Sequence, residues 1–152
     1  MPTRLPDDSR LRAWRALMQV HAEVVDHLEQ DLEAAGLLPL AWYELLATLR
    51  AVGGVMRMHE LADELTLSRS AATRFIDRVE KAGLVERRVC PTDRRGMLVA
   101  LTEAGYQAQK AAARITLRGL QENFGRHLDA HQTEALSAAL TTVLKGQGRP
   151  VT

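Results

Sequence analysis

The chain of 152 residues is 46% apolar and 26% charged, which is typical of one globular domain and excludes wholesale disorder. We expect no membrane span, because no run of about 18 uncharged apolar residues occurs. We also expect no secretory signal, because Asp7 and Asp8 precede the apolar segments. The single cysteine, Cys90, cannot form an internal disulfide or a multi-cysteine metal site, so a cytoplasmic location is expected.

The net charge of +1 hides an uneven distribution of charge. Residues 1–66 carry 6 basic and 11 acidic side chains, whereas residues 67–96 carry 8 and 4, and residues 97–152 carry 6 and 4. A basic segment of this kind favours a localised anionic partner, most often nucleic acid. A dipolar surface without a ligand is the alternative.

The first half of the chain predicts helices. Apolar residues recur at spacings of three and four along residues 11–32. An amphipathic helix is therefore predicted over residues 10–36, behind an N-terminal arm of residues 1–9 that ends in a helix cap. A second, shorter helix is predicted over residues 42–49, and residues 55–67 are predicted to hold a third.

The middle of the chain changes its period. Ser68 is a good N-cap for a further helix, which is predicted to end at Gly83. Residues 84–90 and 97–101 are rich in β-prone side chains, and residues 91–96 are typical of a turn. This pattern predicts a β-hairpin with an arginine-bearing tip.

The C-terminal part predicts two more helices within residues 102–145. Thr102 is expected to cap the first, and Asp129 with Gln132 forms a capping box at the start of the second. Residues 146–152 are expected to be a loose tail. The fold class is therefore mainly α with a small β-hairpin.

Two short helices joined at residues 66–68 and followed by a basic hairpin have the sequence form of a winged helix-turn-helix, predicted for residues 37–101. The apolar stripe of the helix after Ser68 is predicted to face inward. Arginine can bind guanine, and serine or threonine can bond phosphates or base edges. The side chains predicted to face outward are Arg69, Ser70, Thr73, Arg74, Asp77 and Arg78.

Four segments in order resemble the multiple antibiotic resistance regulator (MarR) family. Residues 61–74 (LADELTLSRSAATR) resemble its helix-turn-helix, and residues 77–87 (DRVEKAGLVER) resemble the usual continuation. Residues 93–96 (DRRG) resemble its wing tip, and residues 101–105 (LTEAG) its exit from the wing. The resemblance covers about residues 10–145. It implies an obligate homodimer, formed by N- and C-terminal dimerisation helices, on a pseudo-palindromic site in double-stranded DNA.

The resemblance also implies roles for individual residues. Ser70, Thr73 and Arg74 match positions that read or brace the major groove. Arg95 matches the wing arginine that enters the minor groove, with Asp93 holding it by an ion pair. The predicted DNA-binding set is Ser68, Arg69, Ser70, Thr73, Arg74, Arg78, Asp93, Arg94 and Arg95, in which Arg69 and Arg94 are expected to contact phosphates.

Some positions have a structural alternative or depart from the family pattern. Arg78 and Arg87 are equally suited to ion pairs with neighbouring carboxylates on Asp77, Glu80 or Glu86. Thr66 replaces the usual glycine or asparagine of the turn, which is tolerable if its φ stays negative. His59 stands where a serine or threonine cap is usual, and histidine is a weaker cap.

The family resemblance implies a crevice for an aromatic acid between the dimer helices and the DNA-reading head. Its predicted lining is Trp14, Met18, His21, Trp42, Tyr43, Leu46 and Arg50. Arg50 could pair with a ligand carboxylate, and His21 or Tyr43 could hydrogen-bond it. Core packing is the alternative, because an aromatic stripe at helical spacing is also what a core requires.

Two other sensing chemistries are weaker alternatives. Cys90 is a candidate redox switch because nearby Arg87, Arg88 and Arg94 could lower its pKa. The family's redox sensors, however, carry their cysteine near the N-terminal helices. His127 and His131 are four residues apart, but the predicted cap at Asp129 separates them. We therefore expect no metal and no cofactor.

The sequence thus predicts a regulator of transcription, a repressor released by a small aromatic or phenolic ligand. No motif typical of a nucleotide-binding, hydrolase or metalloprotease site occurs, so no enzymatic activity is expected. A winged-helix module for protein interaction is the alternative from another class. The two adjacent arginines at the hairpin tip argue against it.

Overall fold

The computed structural model describes residues 5–148, and for Arg94 and Arg95 it describes the backbone alone. The helices of this part of the chain are α1 (Asp8–Ala34), α2 (Leu40–Ala51), α3 (Met58–Glu64), α4 (Arg69–Lys81), α5 (Glu103–Asn123) and α6 (Ala130–Gly146). The strands are β1 (Val55–Arg57), β2 (Val85–Cys90) and β3 (Asp93–Leu101). The mainly helical winged-helix fold that the sequence predicts is confirmed.

Helix α1 begins earlier than the sequence analysis places it. The carboxylate of Asp7 accepts a hydrogen bond from the backbone amide of Arg10 at 2.9 Å, so Asp7 is the N-cap. The predicted arm is therefore wrong for its last two residues, and residues 1–4 lie outside the described part of the chain. The predicted end of the helix is confirmed, since Gly36 adopts a φ of +65° just after it.

A short strand precedes α3 where the sequence predicts helix. Strand β1 pairs antiparallel with β3 at Leu98, Val99 and Ala100, and the sheet order is β1-β3-β2. The prediction of helix is therefore wrong for residues 55–57. Their hydrogen-bond partners lie more than 40 positions further along the chain, so nothing local marks the strand.

The turn of the hairpin is tighter than predicted, because β3 already begins at Asp93. The register passes from the pair Val89–Met97 directly to Cys90–Asp93. Residues 94–96 are thereby left over on β3 as a bulge, here called the wing bulge. The wing is the hairpin of β2 and β3 that carries it.

Two buried clusters are joined through α2. The cluster of the DNA-reading head is formed by Leu45, Leu46, Leu49, Leu61, Ile76, Val79, Val85 and Val99. A second cluster between α1, α2 and α5 is formed by Leu28, Leu32, Leu40 and Ala112. Helix α2 contributes to both, so it fixes the head against the long helices.

The turn between α3 and α4 contains a strained residue. Thr66 adopts a φ of +57°, so the expectation of a negative φ is wrong. The amide of Thr66 donates to the carbonyl of Asp63 at 3.1 Å, and that of Leu67 donates to Ala62 at 2.8 Å. These are the bonds of a Schellman motif, which requires the left-handed conformation at this position.

Candidate nucleic-acid interface

Helix α4 separates a buried face from a polar one. Ala72, Ile76 and Val79 are buried against the head. Ser68 caps the helix by accepting a hydrogen bond from the amide of Ala71 at 3.2 Å. The predicted contact residues on the other face are exposed: Arg69, Ser70, Thr73, Arg74 and Arg78.

Hydroxyl groups at the start of α4 are held by local hydrogen bonds. The Ser68 and Ser70 oxygens are 3.3 Å apart, and the Thr73 hydroxyl donates to the carbonyl of Arg69 at 2.9 Å. Thr73 therefore presents its lone pairs outward, where they can accept from an amino group on a base edge. The amino end of α4, with its partial positive charge, lies at the same place.

Two clefts flank α4. A cleft of about 680 Å³ separates it from α2 and is lined in part by Arg74 and Arg78. Another of about 460 Å³ lies between α4 and the wing, and Arg69, Thr73 and Gly96 are among its lining. The helix is therefore a ridge between two depressions, a shape that can enter the major groove.

Arg87 is committed to the protein fold. Its guanidinium lies 2.6 Å from the carboxylate of Asp77 and 2.5 Å from that of Glu80. Its backbone amide also donates to Glu80, at 2.8 Å. The structural alternative for Arg87 is thus confirmed, and the ion pairs tie β2 to α4. Arg78 is placed differently, with its guanidinium carbon 5.7 Å from the centre of the Phe75 ring.

The wing contains a contact that the sequence analysis missed. Asp93 lies 4.0 Å from Nη1 of Arg57, at the end of β1. Because β1 itself was not predicted, no sequence signal brought Arg57 to the wing. The side chains of Arg94 and Arg95 lie outside the described residues, so the expected pair between Asp93 and Arg95 stays a prediction.

The residues predicted to line a ligand crevice lie in different environments. Trp14, Met18 and His21 are exposed on α1, with Trp14 58% exposed. Trp42 packs against the head cluster, Tyr43 packs against the cluster around α1 and α5, and Leu46 is fully buried in the head. A ligand could not contact Leu46 unless the core of the head opened.

Arg50 already has protein partners. Its guanidinium donates to the amide oxygen of buried Gln109 and, at 3.3 Å, to the hydroxyl of Tyr106. Its guanidinium carbon also stands 4.5 Å from the centre of the Tyr106 ring. Arg50 thus connects α2 to α5. Burial raises the pKa of nearby Tyr43, so its phenol stays protonated and can donate a hydrogen bond.

The alternative sensing residues are not clustered. Cys90 is buried, and a hydrogen bond with Thr92 at 3.3 Å lowers its pKa, with Arg57 making a smaller contribution. His127 lies in a 3-10 turn and His131 in α6, on either side of the Asp129 cap. Within residues 5–148, three or more potential metal-ligating side chains are nowhere grouped together. Nor does this range contain a helix long and apolar enough to cross a membrane.

Comparisons with known proteins agree with this geometry. Residues 38–97 match the sequence profile of the MarR family. The multiple antibiotic resistance protein MarR of Escherichia coli is 30% identical over 104 residues, which cover 68% of this chain and 72% of that protein. The transcriptional repressor MprA of E. coli is 30% identical over 93 residues, or 61% of this chain. The match spans only about half of MprA, at 53% of its length.

A solved structure extends the likeness to nearly the whole fold. The MarR family transcriptional regulator Sco3205 from Streptomyces coelicolor, solved in complex with DNA, superposes with a TM-score of 0.85 at 28% identity. The superposition covers 94% of this chain and 90% of Sco3205. It therefore includes the long helices as well as the head.

Proposed function

The chain belongs to the MarR family of DNA-binding transcriptional regulators, and from this we propose that it is a repressor without enzymatic activity. In this proposal it binds a pseudo-palindromic operator as a homodimer. A small aromatic or phenolic ligand then releases it from DNA.

The exposed polar face of α4 is the observation that carries the DNA-binding role. Its buried face fixes the helix on the head, while Arg69, Ser70, Thr73 and Arg74 remain free to approach a groove. We assign Ser70, Thr73 and Arg74 to base edges or their flanking phosphates, and Arg69 to the phosphate backbone. The DNA complex of the similar regulator Sco3205 supports this use of the fold.

Exposed apolar side chains on the long helices support the homodimer. Helix α6 buries none of its residues within one chain. The apolar residues exposed on these helices include Leu11, Trp14, Leu17, Met18 and Val20 on α1, Leu117 and Leu120 on α5, and Val143 and Leu144 on α6. A second copy that covers these surfaces would remove them from water. It would also set the two α4 helices about one DNA turn apart, roughly 34–36 Å.

The role as a ligand-released repressor is supported by the relative MprA, which is named a repressor, and by the link between α2 and α5. A ligand carboxylate that takes Arg50 from Gln109 and Tyr106 would loosen this link. The spacing of the heads in the dimer would then change. Such a ligand acts only if it binds the mis-spaced dimer more tightly than the DNA-competent one.

The first test measures binding by fluorescence anisotropy to a duplex that the wild-type protein selects from a randomised library. Arg74→Ala should weaken specific binding by about 1–3 kcal/mol and relax base preference at one position of each half-site. Arg114→Ala removes an equal charge from α5 and is the matched control. Unchanged base preference in Arg74→Ala would restrict Arg74 to a phosphate contact.

Salt dependence separates this function from a protein-interaction module. Binding that depends on phosphate contacts must weaken steeply as salt rises, since each contact releases counterions. If binding to the selected duplex is weak, insensitive to salt and equal on random DNA, the winged helix serves a protein partner instead.

A further inference from the structure

Two arginines on the sheet form a natural comparison. Arg57 of β1 and Arg88 of β2 are both register partners of Leu98, one on each side of β3. Directly paired residues point to the same face of a sheet, so both arginines project on one side of the wing. Arg88 pairs with Glu86 on its own strand.

Arg57 instead contacts both ends of the wing bulge. Its Nη1 atom lies 4.0 Å from a carboxylate oxygen of Asp93. The same atom lies 3.2 Å from the position that a Cβ atom on Gly96 would occupy. Cys90 Cβ and the carbonyl oxygen of Asp93 are also 3.2 Å from that position. The bulge therefore closes onto Arg57 at a place where any side chain on residue 96 would crowd three neighbours.

On the basis of the proposed function, in which the wing contacts DNA, we propose that Arg57 is a positioning residue for the wing. Its guanidinium holds residues 93–96 in the conformation that lets Arg94 and Arg95 reach DNA, and it acts through them rather than on DNA. A guanidinium is planar and rigid, with five donors, so one group can contact both ends of a loop. A loop that is ordered beforehand loses less conformational entropy on binding.

The first experiment reads the wing bulge in the free protein. Cys90 is the only cysteine of the chain and is 5% exposed beside the bulge, so a thiol reagent such as dithionitrobenzoate reports on one site. Arg57→Gln should raise the reaction rate about tenfold, while Arg88→Gln should leave it unchanged. Loss of the Arg57 charge alone would slow the reaction, because this charge helps to lower the pKa of Cys90. A rate equal to or below that of the wild type overturns the proposal.

The second experiment is a double-mutant cycle on the selected duplex. Arg57→Gln should weaken binding about tenfold in the wild-type protein and have little effect in the Arg95→Ala background, because both changes remove the same wing contact. Arg88→Gln should have the same effect in both backgrounds. Additive effects of Arg57→Gln and Arg95→Ala would instead show that Arg57 binds DNA directly, against the proposal.

The two experiments separate failure of the proposal from failure of the function on which it rests. If Arg95→Ala binds like the wild type, the wing contact of the proposed function is wrong, and the thiol assay still decides whether Arg57 holds the bulge. Gly96→Ala keeps Arg57 and serves if Arg57→Gln does not fold. It should also speed the thiol reaction and lose its effect on DNA binding in the Arg95→Ala background. Wild-type behaviour of Gly96→Ala in both assays contradicts the proposal.

Discussion

Thr66 shows how a single residue can be strained to complete a turn. A left-handed conformation costs an L-residue roughly 1–2 kcal/mol, and Thr66 adopts it because the Schellman bonds between α3 and α4 require it. The residue type alone favours a negative φ, which is why the sequence analysis went wrong here. The geometry of the turn overrides the preference of the residue.

Thr66→Gly is therefore expected to stabilise the protein by up to about 1 kcal/mol, because the relief of strain exceeds the extra entropy of an unfolded glycine. Urea unfolding at one fixed protein concentration measures the change. Thr48→Gly in α2 is the control and should destabilise, since residue 48 is helical. A loss of stability in Thr66→Gly would mean that the threonine side chain makes compensating contacts.

Single residues also show what sequence reasoning can reach at the site. The residue types and helical spacing along α4 were enough to predict which side chains face outward, and the structure exposes all of them except Asp77, which pairs with Arg87. Spacing alone could not decide the role of Arg87. Its partners Asp77 and Glu80 come into reach only when β2 packs on α4.

At the scale of elements, helices were predictable and β1 was not. Caps and apolar periodicity are local signals, and the capping box of Asp129 with Gln132 is present as predicted. A strand of three residues has too little periodicity to recognise, and its partner strand is remote in sequence. The site residue Arg57 was missed for the same reason.

The start of α5 packs against the connection between α4 and β2 without room for a methyl group. A Cβ atom on Gly105 would lie 1.9 Å from the carbonyl oxygen of Leu84. Gly105→Ala should therefore destabilise the fold by roughly 1–3 kcal/mol or more. In the control Gly146→Ala, at the end of α6, the added Cβ meets nothing within 4 Å, so stability should be unchanged or slightly higher. Urea unfolding distinguishes the two, and equal stabilities would mean that the α5 contact readily shifts.

At the scale of the whole molecule, one chain leaves apolar surface on its long helices uncovered. Leu117→Glu should weaken the proposed dimer by about 2 kcal/mol or more, because it would bury a charge in the interface. Analytical ultracentrifugation over a range of concentrations measures the dissociation constant. Val52→Glu, at a residue of similar exposure in the head, should remain dimeric. Wild-type association of Leu117→Glu would place the interface elsewhere.

The division of α2 between the two buried clusters has a consequence for how the molecule comes apart. Leu40 belongs to the cluster with α1 and α5, Leu46 belongs to the head, and Arg50 reaches across to Gln109. Excision of residues 37–101 would cut through one cluster and leave its half of the apolar surface in water. The reading head is therefore not a transplantable module, and we expect the excised fragment to show no cooperative thermal transition by circular dichroism. The full chain should melt in a single step reported alike by helix content and by the fluorescence of Trp42.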